Sequence, residues 1–119
     1  MIKYAKTHEY ACLNGKTAKV GISAHAAEEL GDITYVDLPQ VGKIVKKGDT
    51  LCAVESVKSA SDIFAPVSGK IIAVNSELDG TPELINDSAE EKGWIVEIEL
   101  SDVKEMDSLL DEAQYKADL

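Results

Sequence analysis

Strand-forming runs in this chain are short and are broken by Gly, Pro or Asn-Gly, a pattern that dominates the first 100 residues. It predicts a mainly β protein built from short strands and tight turns. Tyr10-Ala11-Cys12-Leu13 leads into Asn14-Gly15, the strongest two-residue hairpin signal, and Thr17 to Ile22 supplies the return strand. Ser23 is a good N-cap for a short helix from Ala24 to Leu30, and Gly31 sits where a glycine closes such a helix. Asp32 to Leu38 follows as a strand, buried through Ile33 and Tyr35 or through Thr34 and Val36 according to register, and Pro39 stops it. Lys43 to Val45, Thr50 to Val57 and Lys70 to Val74 read as three more strands. Thr81-Pro82-Glu83 opens a short helix, Trp94 to Leu100 is the last strand, and Ser101-Asp102 caps a helical tail over about 101–119.

A weak repeat organises the middle of the chain. Gly42-Lys43-Ile44-Val45 and Gly69-Lys70-Ile71-Ile72 match at an offset of 27 residues, and Leu51 matches Leu78 at the same offset. A pseudo-twofold β unit of this kind places the segment between its halves in a connecting hairpin. That segment, around 54–62, reads VESVKSASD, with Lys58 at its centre.

At 119 residues the expectation is one domain over 1–119, long enough for a modest core. With only 5% aromatic residues, that core must come mainly from Val, Ile, Leu and Ala. Twelve lysines, no arginine and 22 acids give a net charge of −10. This opposes nucleic-acid binding, which needs basic surface, and disfavours an anionic membrane. Cys12 and Cys52 form no CxxC and no disulfide framework, and Cys52 reads as a small buried strand residue. His8 and His25 have no neighbouring ligands in sequence at metal-site spacing. Met1 leads into a polar run with no Arg, unlike a signal or transit peptide, so a cytoplasmic protein is expected.

Eleven of the lysines read as solvated charges, but Lys58 is set apart by its surroundings. Ser56, Ser59, Ala60 and Ser61 leave room for a second protein to close over its ammonium group, and Glu55 and Asp62 place anions nearby. Such a lysine suits acylation by an enzyme, which would move the net charge from −10 to −11.

The stretch Glu55-Ser56-Val57-Lys58-Ser59-Ala60-Ser61-Asp62 resembles the lipoylation motif of glycine cleavage system H proteins. His8-Glu9-Tyr10 resembles that family's His-Glu-Trp, and Val20-Gly21-Ile22, Leu30-Gly31-Asp32-Ile33, Leu38-Pro39 with Val41-Gly42, and Val45-Lys46-Lys47-Gly48-Asp49 follow in the family's order. Pro66-Val67-Ser68-Gly69, Val74-Asn75, Pro82-Glu83-Leu84-Ile85-Asn86 and Gly93-Trp94 continue it over nearly the whole chain. Two departures stand out: Tyr10 replaces a Trp, and Asn86 to Lys92 lacks an aromatic residue before Gly93.

The resemblance implies a flattened β barrel or barrel-sandwich hybrid with short flanking helices. It implies lipoic acid covalently attached to Lys58, installed by a lipoate ligase or a lipoyl/octanoyl transferase. The arm would accept the aminomethyl group left by a pyridoxal-phosphate glycine decarboxylase and present it to a tetrahydrofolate-dependent aminomethyltransferase. Dihydrolipoamide dehydrogenase, a flavin enzyme, would then reoxidise the dithiol. An extended lipoyl-lysine arm reaches roughly 14 Å. Glu55 and Asp62 would serve recognition and arm contacts. Thr7, Glu9 and Asp62 would line a cleft that shelters the loaded arm, although on the residues alone Glu9 and Asp62 read as solvated acids. On this reading the chain is a carrier and not an enzyme.

Several alternatives compete. A biotin carrier usually has methionines beside its lysine, whereas Val57 and Ser59 flank Lys58. A lipoyl domain of a 2-oxo acid dehydrogenase would be followed by a linker and further domains. An H-like relay protein would donate its lipoate to other proteins. A β-barrel binding module would leave Lys58 unmodified. Enzyme readings are weaker, since Ser56, Ser59 and Ser61 have no partner His nearby in sequence.

Overall fold

The computed structural model describes residues 1–119. Nine strands form two open sheets: β1 (Ile2–Tyr4), β2 (Glu9–Asn14), β3 (Thr17–Ile22), β4 (Ile33–Asp37), β5 (Ile44–Val45), β6 (Thr50–Ser56), β7 (Ala60–Phe64), β8 (Gly69–Val74) and β9 (Val96–Leu100). The larger sheet runs β1-β2-β3-β9-β8-β5 and the smaller β4-β6-β7, with every pairing antiparallel. Helices α1 (Ala24–Leu30), α2 (Glu77–Gly80), α3 (Leu84–Ser88) and α4 (Glu112–Ala117) flank the sheets, with a 3-10 turn at Val103–Ser108. No helix is long and apolar enough to cross a membrane.

One core of 24 buried residues joins both sheets, drawing Val20, Ile71, Val96 and Ile98 from the larger and Val36, Val54 and Ile63 from the smaller. As the composition requires, it is almost wholly aliphatic. Three tyrosines, Tyr4, Tyr10 and Tyr115, form a separate buried cluster at the β1 edge. Tyr10 fills its site because Gly21 lies opposite it. A Cβ on Gly21 would come within 2.9 Å of the Tyr10 hydroxyl, which donates to the Ala89 carbonyl at 2.8 Å.

The sequence repeat has a direct structural expression. Its two copies are hydrogen-bonded to each other as the antiparallel pair β5 and β8, with Ile44 opposite Lys70 and Val45 opposite Gly69. Leu51 and Leu78 are both buried, but Ile71 is fully buried while its counterpart Ile44 is exposed. The copies therefore match in backbone pairing and differ in burial.

Three local readings need correction. The first hairpin turns one residue later than Asn14-Gly15, because Asn14 pairs with Thr17 and the loop is Gly15-Lys16, with Gly15 at φ +69°. In β4 neither strict alternation holds. A bulge between Ile33 and Tyr35 shifts the pairing, so Ile33 and Val36 both face the core. The tail is not one helix: Asp102 caps the 3-10 turn, Leu110 bridges to Tyr4, and Asp111 with Gln114 forms a capping box for α4.

Gly48 and Gly69 are backbone-driven positions, as their turns suggest. Gly48 lies at φ +93°. At Gly69 the cause is close approach, since a Cβ there would sit 2.1 Å from the Glu99 carbonyl oxygen of the neighbouring strand. Neither backbone can retreat without opening the β8–β9 ladder. Gly69→Ala is therefore expected to cost about 3 kcal/mol or more, the range of severe overpacking. Gly48→Ala should cost only about 1 kcal/mol, for strain alone. Urea denaturation of both variants checks the ranking, and equal losses would mean that the β9 contact is easily relieved.

Candidate functional site

Lys58 is the middle residue of the three-residue loop, Val57 to Ser59, joining β6 to β7, beyond the last cross-strand pair, Glu55 with Ala60. The loop is knitted by Ser56. Its amide donates to the Ser59 carbonyl at 2.8 Å, and its hydroxyl oxygen accepts from the amides of Lys58 and Ser59 at 3.3 and 3.2 Å. Read from sequence, Ser56 only left space; its position two residues before Lys58, where a hydroxyl can close a turn, was the available signal. The Val57 amide donates to the Asp32 carbonyl at 3.0 Å, docking the loop against the segment that follows α1.

That segment is itself held. Asn86 on α3 accepts from the Ile33 amide and donates to the Gly31 carbonyl, each at 2.8 Å. Ser23 caps α1 through the Ala26 amide, and Gly31 leaves the helix at φ +78°. A Cβ on Gly31 would lie 3.4 Å from Cε of Lys58, so the lysine stem runs over the glycine. Lys58 is exposed, and the close acid–base contacts of the chain, His25 with Glu29 and Lys116 with Glu112, leave its ammonium group unpaired.

Glu55 and Asp62 fall on the outward face of the smaller sheet. Glu55 pairs with Ala60 and Asp62 with Ala53, and both acids are exposed. They occupy diagonal positions on one face, with Tyr35 beside Glu55. Neither makes a salt bridge with Lys58.

Thr7, Glu9 and Asp62, distant in sequence, line one cleft of about 220 Å³ together with His8, Ile22, Ala26, Glu29, Leu30, Ser61 and Ile63. Its rim includes Leu30, which adjoins the Gly31 that carries the Lys58 stem. The reading of Asp62 as a solvated acid holds, but that of Glu9 does not, for only 2% of Glu9 is exposed. One carboxylate oxygen accepts from the Thr7 hydroxyl and the other from the Phe64 amide at 3.2 Å. Burial raises the Glu9 carboxyl above its ordinary value, and these hydrogen bonds pull it partly back. Glu9 is thus a sheltered carboxylate with donors already in place.

His8 and His25, which lack ligand partners in sequence, come together in space with ring centroids 5.3 Å apart. Cys52 is buried in β6, and burial pushes its thiol up to about 12.

An open two-sheet β protein that presents one unpaired lysine on a hairpin beside an acid-lined cleft has the form of a swinging-arm carrier. The comparisons narrow that class. The family model described as "Glycine cleavage H-protein" matches residues 2–119, and the chain belongs to this family. A glycine cleavage system H protein from Thermotoga maritima is 53% identical, covering 98% of this chain and 94% of the relative. One from Xanthobacter autotrophicus is 49% identical, covering 97% and 92%. The crystal structure of a glycine cleavage system H protein from Mycobacterium marinum superposes with a TM-score of 0.89 at 33% identity, covering 98% of this chain and 94% of that one.

Proposed function

We propose that the chain is the lipoyl-lysine carrier of a glycine cleavage system, with lipoic acid attached through the Nζ of Lys58. Family membership carries the reading, and the placement of Lys58 supports it. The lysine is exposed, unpaired and mounted on a loop braced from two sides, so a modifying enzyme can reach it without unfolding anything. When bound, the dithiol of lipoate supplies the chemistry, accepting an aminomethyl group at one enzyme and yielding it at another.

The chain's own residues do the rest. Gly31 gives the lysine stem a path towards the cleft that a side chain there would crowd. Glu9 provides a carboxylate for the cationic amine of the cargo, where burial strengthens a charge-assisted hydrogen bond. Asp62 adds a second carboxylate at the same cleft. Ile22, Ala26 and Ile63 supply apolar wall that limits water. The partners are the pyridoxal-phosphate glycine decarboxylase, the tetrahydrofolate-dependent aminomethyltransferase, dihydrolipoamide dehydrogenase, and the ligase or transferase that installs the arm.

Intact mass after co-expression with a lipoate ligase and free lipoate tests the reading. One lipoyl increment, mapped to Lys58, is the expected result, and an unmodified chain under conditions that modify an H protein of known competence would refute it. Glu55→Ala and Asp62→Ala should each slow this attachment while changing stability by less than about 0.5 kcal/mol, since both acids are exposed and unpaired. A larger loss in thermal or urea melts would make that acid structural.

A further inference from the structure

His8 is the only residue other than glycine with a positive φ, at +79°. Histidine tolerates this region better than most residues but seldom occupies it, and such a conformation persists only where the surroundings hold it. Here it has a clear local consequence. The chain folds back at residue 8, the Ala5 amide reaches the Glu9 carbonyl at 2.8 Å, and the Thr7 hydroxyl reaches the carboxylate of Glu9 two residues on. An extended residue 8 would open this turn and break the Ala5–Glu9 backbone hydrogen bond.

Two kinds of contact hold His8. Its amide donates to the Ala5 carbonyl at 3.0 Å, and its carbonyl accepts from the Ser23 amide at 2.8 Å. Its ring is held from the far end of the chain, where Nδ1 lies 2.5 Å from the hydroxyl of Tyr115 on α4. The same hydroxyl lies 2.8 Å from Ser23 Oγ, which accepts from the Ala26 amide. One direction of donation leaves neither hydroxyl proton without an acceptor: the Ala26 amide donates to Ser23, Ser23 to Tyr115, and Tyr115 to Nδ1 of His8. Nδ1 is then an acceptor, and the ring proton sits on Nε2. Tyr115 is fixed in turn by stacking on Tyr4 at 4.4 Å and 7°, and Tyr4 exchanges backbone hydrogen bonds with Leu110.

We propose that Tyr115 is a positioning residue for the cleft: through Nδ1 of His8 it holds the Thr7–Glu9 fold-back that presents the Glu9 carboxylate to the loaded arm. The proposal rests on the reading of Glu9 above. The C-terminal helix thereby becomes a working part of the cleft wall, although none of its residues lines the cleft.

Tyr115→Phe is the test, made on the full-length lipoylated chain. It keeps the stacked ring on Tyr4 and the Leu110 bridge, and removes only the hydroxyl. In ¹⁵N spectra the wild type should show His8 as the Nε2–H tautomer and the variant a mixture. The carboxyl titration of Glu9, followed by ¹³C NMR, should move upward as the Thr7 hydrogen bond loosens. Asp62 and Glu29 face the same cleft in both proteins, so their charges cancel in the comparison. Ammonia release from the aminomethyl-loaded carrier should rise at least about threefold, with no further rise from Tyr115→Phe in a Glu9→Ala background. His8→Ala, which leaves the contacts of α4 with Tyr4 and Leu110 intact, should reproduce the Glu9 shift even where Tyr115→Phe loosens the tail.

Unchanged His8 and Glu9 signals in Tyr115→Phe, or an unchanged Glu9 signal in His8→Ala, would overturn the proposal. So would acceleration by Tyr115→Phe that is equal with and without Glu9. If the spectra shift while Glu9→Ala and wild type release ammonia at one rate, the positioning stands and the role assigned to Glu9 falls.

Discussion

Lys58→Arg is expected to yield a folded chain that carries no lipoyl group at all. The lysine is exposed and its ammonium group has no ion pair, so its replacement removes no buried contact. Stability should stay within about 0.5 kcal/mol of wild type. The loop keeps its shape because Ser56 and the Asp32 carbonyl bind backbone atoms and not the lysine side chain. The guanidinium retains the positive charge, so long-range attraction to the modifying enzyme is preserved. What disappears is the amine that can lose a proton and attack an activated acyl group, since arginine stays protonated at any working pH. Intact mass after co-expression with a ligase reads the result, and lipoate on any other lysine of the variant would sink the assignment.

Removing the Glu9 carboxylate should speed loss of ammonia from the loaded carrier by about tenfold to a hundredfold, the worth of one charge-assisted hydrogen bond of about 1.5 to 3 kcal/mol. Attachment of the arm should be unaffected, because the modifying enzyme meets the hairpin and Glu9 lies behind it. Glu9→Ala strands the Phe64 amide, so Glu9→Gln is the cleaner variant, retaining a carbonyl acceptor for that amide while discarding the charge. Loss of protection in both variants would assign the effect to the charge, and full protection by Gln would refute it. The pH dependence has a definite sign. Burial raises the carboxyl of Glu9 in the unloaded chain, and acidification through that point converts it to the uncharged form. The ratio of variant to wild-type release should therefore fall towards one as the pH drops, and added salt should change it little if the pair is sheltered.

The same shift implies a thermodynamic burden. A carboxyl whose folded value lies above its unfolded one binds its proton more tightly in the fold. It favours the fold at low pH and withdraws that support as the pH rises through the interval. Above that interval the ionised Glu9 thus weakens the unloaded chain, which would be the cost of the sheltered carboxylate proposed here.

Much of the fold was legible because it is local. Ser23 and Gly31 delimit α1 where they should, and the strands between Thr17 and Leu100 shift by two residues or fewer at their ends, except β7, which was read only as part of a connecting hairpin. What escaped was what tertiary partners decide. β1 is three residues long and owes its existence to pairing with Tyr10–Cys12 and to the Leu110 bridge. α2 is a single turn ending in Gly80, too short to show a period. The bulge in β4 leaves no mark in a run of alternating residues.

At the site, Lys58 stood out from its own small neighbours, whereas Thr7, Glu9 and Asp62 were brought together only by the family resemblance. Composition made Glu9 a surface acid. Nothing in its neighbourhood in sequence indicates that β7 and α1 will close over it. Tyr115 was still less visible, one aromatic residue in a polar tail whose contacts lie 92 and 107 residues away.

The bracing of the Lys58 loop against the Asp32 carbonyl has one more consequence. A lipoyl arm attached there, as proposed, would explore a small volume near the mouth of the cleft, so arm and cleft would face each other at an effective concentration in the millimolar range or above. Intrinsically weak attraction then suffices to keep the cargo docked most of the time, which a free ligand of the same chemistry would not achieve. Weakness is also what makes the cargo deliverable, because a partner that offers the arm only slightly better contacts can draw it out without distorting the carrier. A tight cleft would protect the cargo and never surrender it. The leash lets a loose one do both.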